Sequence, residues 1–159
     1  MNKTDLAYLA GFFDGEGSIF IDKNFGMACA MTSTTKWALE SLRFSFGGNI
    51  TKNKKIYNPS QHTTFQWKIN STIAKTFLQA ISPYLKLKKP EAEVAIKFQI
   101  RKDKIRRINQ TRLLSRNERV LREADRILLQ KMKEQVKGGI STIEVEQLEE
   151  TTDEQLSLL

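Results

Sequence analysis

Apolar and polar positions along this chain repeat with two different periods, and the changes of period mark its elements. Near the N-terminus Leu6, Leu9 and Phe13 share one helical face, while Ala7, Gly11 and Asp14 share another. Thr4 or Asn2 can cap this helix, Asp5 sits favourably in its first turn, and Gly15 and Gly17 are expected to end it after about Asp14. From Gly17 the period falls to two. Residues 18–23 read as a strand, Asn24-Phe25-Gly26 as a turn and residues 27–32 as the returning strand. Residues 35–45, with Trp37, Ala38, Leu39 and Leu42, suit an amphipathic helix ending before Gly47-Gly48. The pattern then recurs. A strand is expected from Asn49 to Lys55, a loop at Asn58-Pro59-Ser60 and an alternating strand over 63–69. Ser71 is expected to cap a helix over 72–81 that stops at Pro83, and Pro90 to begin another through about Lys102.

The resulting fold class is α+β: an αββαββα core whose four-stranded antiparallel sheet is covered by helices on one face, followed by a helical C-terminal part. The other sheet face is expected to be open and polar. The domain division is a core over 1–105, a helical extension over 106–139 that packs on it, and an acidic, mobile tail over 140–159. Within the extension, residues 112–136 carry Leu113, Val120, Leu121, Ala124, Ile127 and Leu128 on one side and Arg112, Arg116, Arg119, Arg122 and Arg126 on the other. The favoured reading is a surface helix with its apolar side on the core; the other is an arginine stripe that contacts phosphates.

Composition narrows the chemistry. Among 159 residues there is one Cys (Cys29) and one His (His62), which excludes an internal disulfide and a Cys/His zinc cluster. The same count removes histidine-based nuclease motifs and any nucleophilic triad not built on His62. No run approaches the roughly 20 apolar residues of a membrane span, and the N-terminus lacks a secretory signal pattern. The expectation is a soluble, intracellular protein, with no membrane and no small-molecule substrate. The net charge is +8, and the six acids of residues 140–159 face no Lys or Arg there, so residues 1–139 hold 26 basic against 12 acidic residues. A body that cationic points to a polyanion, most simply nucleic acid.

The segment Leu9-Ala10-Gly11-Phe12-Phe13-Asp14-Gly15-Glu16-Gly17 has an unusual local grammar of helix, small residues, two acids between glycines, then strand. Ala7 and Gly11 leave a helix face almost without side-chain bulk, against which a second helix can approach closely. Asp14 on that face is expected to support the joint. Glu16 lies where the chain turns from helix to strand, and its carboxylate with the Gly15 carbonyl offers the hard oxygen ligands that Mg²⁺ prefers.

This segment resembles the LAGLIDADG motif of the homing endonucleases, with Phe12 and Phe13 in place of the name-giving Leu-Ile. The αββαββα order and the segment Pro83-Tyr84-Leu85-Lys86-Leu87-Lys88 agree with it, and the resemblance covers about residues 5–100. It implies that Glu16 and Gly15 bind the catalytic metal, Mg²⁺ with Mn²⁺ able to substitute. It also implies that Lys88 orients solvent around the scissile phosphate and that Ser33 is an active-site polar residue. A single motif implies a homodimer joined through Ala7, Gly11 and Asp14, with one Glu16 for each strand of a double-stranded DNA.

The open sheet face would then lie in the major groove. Alternation sends Ser18, Phe20, Asp22 and Asn24 toward DNA from the first hairpin, with Ala28, Ala30 and Thr32 from its returning strand. Thr51, Asn53 and Lys55, then Thr64, Gln66 and Lys68, follow from the second hairpin. Alanine at two reading positions departs from the polar face expected. The function implied is a site-specific double-strand DNA endonuclease that cuts a long pseudo-palindromic site, leaves 3′ overhangs and serves intron or intein mobility. The alternative is a DNA- or RNA-binding protein on the same fold without nuclease activity, such as an intron maturase or a repressor.

Overall fold

Asn2 and Asp5 close a reciprocal cap at the start of helix α1 (Lys3–Glu16). The Asn2 side chain accepts the Asp5 N–H at 2.8 Å, and the Asp5 carboxylate accepts the Asn2 N–H at 3.0 Å. The computed structural model describes residues 2–53, 63–108 and 114–137. After α1 come strands β1 (Gly17–Ile21) and β2 (Met27–Ser33), helix α2 (Lys36–Phe46), strands β3 (Asn49–Asn53) and β4 (Thr64–Asn70), and helix α3 (Ser71–Ile81). A 3₁₀ turn (Ser82–Tyr84) leads to α4 (Lys89–Ile108), and α5 (Arg116–Lys137) completes the described elements.

The sheet is antiparallel throughout, in the order β1-β2-β4-β3, so the two hairpins meet through β2 and β4. One face carries Ile19, Met27, Cys29, Met31, Trp67 and Ile69, all buried, and the helices cover it. Phe77 of α3 is the hub beneath. Its ring meets Phe13, Phe46 and Trp67 edge-on at centroid distances of 5.1, 5.0 and 5.2 Å. The Trp67 indole N–H, which burial would otherwise leave without water, donates to the Gly47 carbonyl at 2.8 Å. Next to it Gly48 has φ 92°, and a Cβ there would press into Ile69 and the Lys68 carbonyl, so glycine is required where β3 enters the sheet.

Several boundaries differ from expectation for local reasons. Gly15 lies inside α1 and the helix ends at Gly17, where only glycine fits because a Cβ would collide with the ring and carbonyl of Phe13. Ser71 does not cap α3: the N-cap is Asn70, without a side-chain bond, and Ser71 itself takes φ 50°. The expected domain boundary at 105/106 falls within α4. Lys55, the loop at 58–60, Arg112, Leu113 and the tail over 140–159 lie outside the described residues.

Contacts group the chain into two units, Met1–Leu129 and Gln130–Leu159. In the second, the described residues are the last turns of α5, where Gln130 donates to Glu134 at 3.1 Å.

Within the first unit α5 is turned opposite to its apolar stripe. Glu118 and Arg122 are buried, at 6% exposure each, whereas Val120, Leu121, Ile127 and Leu128 are exposed. The inward face is held by charge. Arg122 Nε donates to Glu118 at 2.6 Å, and Arg101 of α4 reaches Asp125 at 2.5 Å and Glu118 at 3.7 Å. Among the described residues, Leu129 is the one apolar residue of this helix in the core. The arginine stripe is likewise divided, since Arg122 is spent on Glu118 and Arg126 on Glu123, whose carboxyl that guanidinium holds below its ordinary pKa.

Candidate active site and the open sheet face

The last turn of α1 is where the candidate chemistry converges. A helix C-terminus carries partial negative charge, and Glu16 adds an exposed carboxylate to it. The helix offers no N–H to the Gly15 carbonyl, because residue 19 already belongs to β1. Carboxylate, carbonyl and dipole therefore all favour a cation. Among the described residues no cluster of three or more His, Cys, Asp or Glu forms a closed metal site. An open set of hard oxygens fits Mg²⁺, which keeps several waters and shares substrate phosphates.

The segment after the 3₁₀ turn is bound to this corner through Asp14. Its Oδ2 accepts the backbone N–H of Lys86 at 2.7 Å and of Leu87 at 3.3 Å, and its Oδ1 accepts that of Lys88 at 2.9 Å. Three successive N–H groups on one carboxylate form an anion-binding nest. The Lys88 ammonium donates to the Asp14 carbonyl oxygen. The structure thus brings Lys88 and Glu16 to one turn of α1, although they are far apart in sequence. Asp14 is buried, at 8% exposure, and its carboxylate is engaged by the chain's own loop.

Ser33 ends β2 at the edge of the sheet where Gly17 begins β1, and its hydroxyl accepts the Thr35 N–H at 3.0 Å ahead of α2. It is near this corner, with a local structural task already assigned.

On the open face, register aligns the outward side chains in rows. The row nearest Glu16 is Thr32-Gln66-Thr51, with Thr64 beside Asn53 farther along the second hairpin. Then come Ser18-Ala30-Lys68-Asn49 and Phe20-Ala28-Asn70. Rows are two residues, about 7 Å, apart. Asn49 and Asn70 are exposed members of this face absent from the sequence reading, although extending the alternation by one step at each strand end would have found them. Ala28 and Ala30 are buried at 3% and 4% exposure, so neither is a free contact.

At the far tip Asp22 shapes the turn. Its Oδ1 accepts the N–H groups of Asn24 and Gly26, both at 2.8 Å. Asn24 is exposed at the tip, and Lys102 of α4 steadies the turn by donating to the Phe25 carbonyl at 2.5 Å.

A profile of the LAGLIDADG-like domain matches residues 3–82, half of the chain. The chain belongs to the LAGLIDADG family. A comparison with curated protein sequences finds no match. Among solved structures, the archaeal intron-encoded homing endonuclease I-Vdi141I, complexed with DNA, superposes with a TM-score of 0.60 at 15% identity, over 81% of this chain and 84% of that one. The homing endonuclease I-CvuI, in complex with its target in the presence of Ca, gives 0.51 at 18% identity, over 82% and 95%. I-GzeII, in complex with its DNA target, gives 0.54 at 18% identity, over 78% of this chain but 43% of that one. These likenesses establish the LAGLIDADG homing endonuclease fold.

Along the LAGLIDADG helix, Ala7, Gly11 and Gly15 are exposed. Among the described residues, a Cβ added at Gly11 or Gly15 would meet nothing within 4 Å, in contrast to Gly17. Glycine inside a helix costs about 1 kcal/mol relative to alanine, and packing among the described residues gives no return at these two positions. Beside the strip, a groove between α1 and α2 is lined by Thr4, Tyr8, Leu9, Trp37, Ala38 and Ser45, and Tyr8 and Trp37 are largely exposed. Among the described residues no helix is long and apolar enough to cross a membrane.

Proposed function

We propose that this LAGLIDADG protein is a site-specific double-strand DNA endonuclease. It acts as a homodimer with a divalent metal, Mg²⁺ or in its place Mn²⁺, on a long pseudo-palindromic site, and leaves 3′ overhangs. The observation that carries this reading is the meeting of Glu16, the Gly15 carbonyl and Lys88 at the end of an open polar sheet face. A bound divalent metal supplies charge neutralisation at the scissile phosphate and an activated water. Glu16 and the Gly15 carbonyl would hold it, Lys88 would orient solvent from its seat on α1, and the sheet rows would fix the duplex in register.

The homodimer reading rests on Gly11 and Gly15. Their open surroundings are what a second LAGLIDADG helix needs for close backbone approach. A strip this small supplies little area, whereas a stable interface takes about 800 Å² from each partner. Tyr8, Phe12 and Trp37 on its flanks provide the remainder. The extent of the structural match supports the same reading, since it covers 95% of I-CvuI but 43% of I-GzeII.

The test is selection of cleaved duplexes from a randomised DNA pool, with Mg²⁺ against EDTA. The expected result is a recurrent, partly palindromic site cut on both strands only with metal. Duplexes that are bound and enriched but never cut, with Mg²⁺ or Mn²⁺, would establish a binding protein instead.

A further inference from the structure

Two side chains from strands that are not neighbours meet on the open face. Phe20 on β1 and Lys68 on β4 are separated by β2, yet the Lys68 ammonium lies 5.1 Å from the centroid of the Phe20 ring. They meet because β2 offers only methyl groups between them. Ala28 stands opposite Phe20, and Ala30 stands opposite Lys68. Both alanines are buried beneath the bridge, which explains small residues at two central positions of a face otherwise lined with hydroxyls and amides.

Lys68 is also the one charged side chain among the twelve outward residues of the described strands. A lysine alone is a flexible point charge that loses rotamer freedom when it contacts a base. A cation held over an aromatic face within about 6 Å is already partly ordered. We propose that Phe20 and Lys68 form a single base reader, in which the ring holds the ammonium in the major groove to take a guanine through O6 and N7. This inference rests on the reading that the open face binds DNA. Two rows, about 7 Å apart, bring the pair together, so it serves one stretch of about two base pairs in each half-site.

The experiment recovers duplexes bound from a pool randomised over a half-site, using the full chain and K68A, F20L, F20Y and the F20L/K68A double variant. The wild type should prefer guanine at a position where K68A weakens that preference on the order of tenfold. F20L still covers Ala28 but lacks the ring, and should weaken the same preference by roughly two- to fivefold. F20Y should retain it, and the double variant should match K68A. A guanine preference unchanged by F20L, or a change at a different position, overturns the coupling while leaving DNA reading intact. Uniform weakening by K68A at every position makes Lys68 a phosphate contact and overturns the proposal. Absence of any enriched sequence with the wild type overturns DNA reading itself.

Discussion

Lys88 is bound to Asp14 at both of its ends: the backbone N–H donates to the Asp14 carboxylate at 2.9 Å and the ammonium donates to the Asp14 carbonyl. The first acid of the motif thereby holds the lysine on the same helical turn that carries the second.

Asp14→Asn should therefore act on the fold and on Lys88, with the dimer kept. The amide retains one acceptor oxygen where three N–H groups now share two, and turns an NH₂ toward the nest. The expected cost is about 1–3 kcal/mol, read as a lower urea midpoint, together with slower single-turnover cleavage. A variant of unchanged stability that becomes monomeric by light scattering would return Asp14 to the helix joint.

Glycine substitutions along α1 should separate folding from assembly. Gly17→Ala is expected to destabilise the folded chain, since its methyl has no room beside Phe13. Gly11→Ala should favour the isolated helix by about 1 kcal/mol and still weaken the dimer. Gly11→Leu should abolish assembly and cutting, because overpacking of about 1–3 kcal/mol is applied twice at a twofold joint. Size exclusion with light scattering beside thermal unfolding checks all three. A Gly11→Leu dimer that cuts both strands contradicts the interface.

Salt should govern affinity. Neutralising on the order of 8 phosphates per dimer gives a slope of log affinity against log salt near about −7. Titration of a fixed duplex by fluorescence anisotropy from low to moderate salt measures it, and a flat response would argue against a phosphate-tracking DNA binder.

What was legible in the sequence follows the reach of local rules. The alternation of Ile19 and Ile21, or of Trp67 and Ile69, reports which face is buried because a strand's period is fixed at two. At Asp22 the alternation is silent about a local bond, the carboxylate that closes the turn by accepting from Asn24 and Gly26. The apolar stripe of helix α5 predicts a core-facing side that the structure leaves exposed. Arg101 and Asp125, from two helices, instead turn the charged side inward, a partnership no single-helix pattern encodes. The bond between Asp14 and Lys88 joins residues with no common periodicity, and only the family resemblance pointed to that lysine. Ala28 and Ala30 made sense only once the register put Phe20 and Lys68 on either side of them.

The central claim, one Glu16 for each DNA strand across a twofold axis, is tested most directly with mixed dimers. Wild-type and Glu16→Gln chains bearing different tags are co-expressed, and the doubly tagged dimer is purified and offered a selected duplex with Mg²⁺. Glutamine keeps the shape of the side chain but lacks the anionic oxygen that a hard cation needs. The Glu16→Gln homodimer should bind without cutting, and the mixed dimer should nick one strand and leave the other intact. A mixed dimer that makes full double-strand breaks, or a Glu16→Gln homodimer that retains substantial cleavage, would contradict the account.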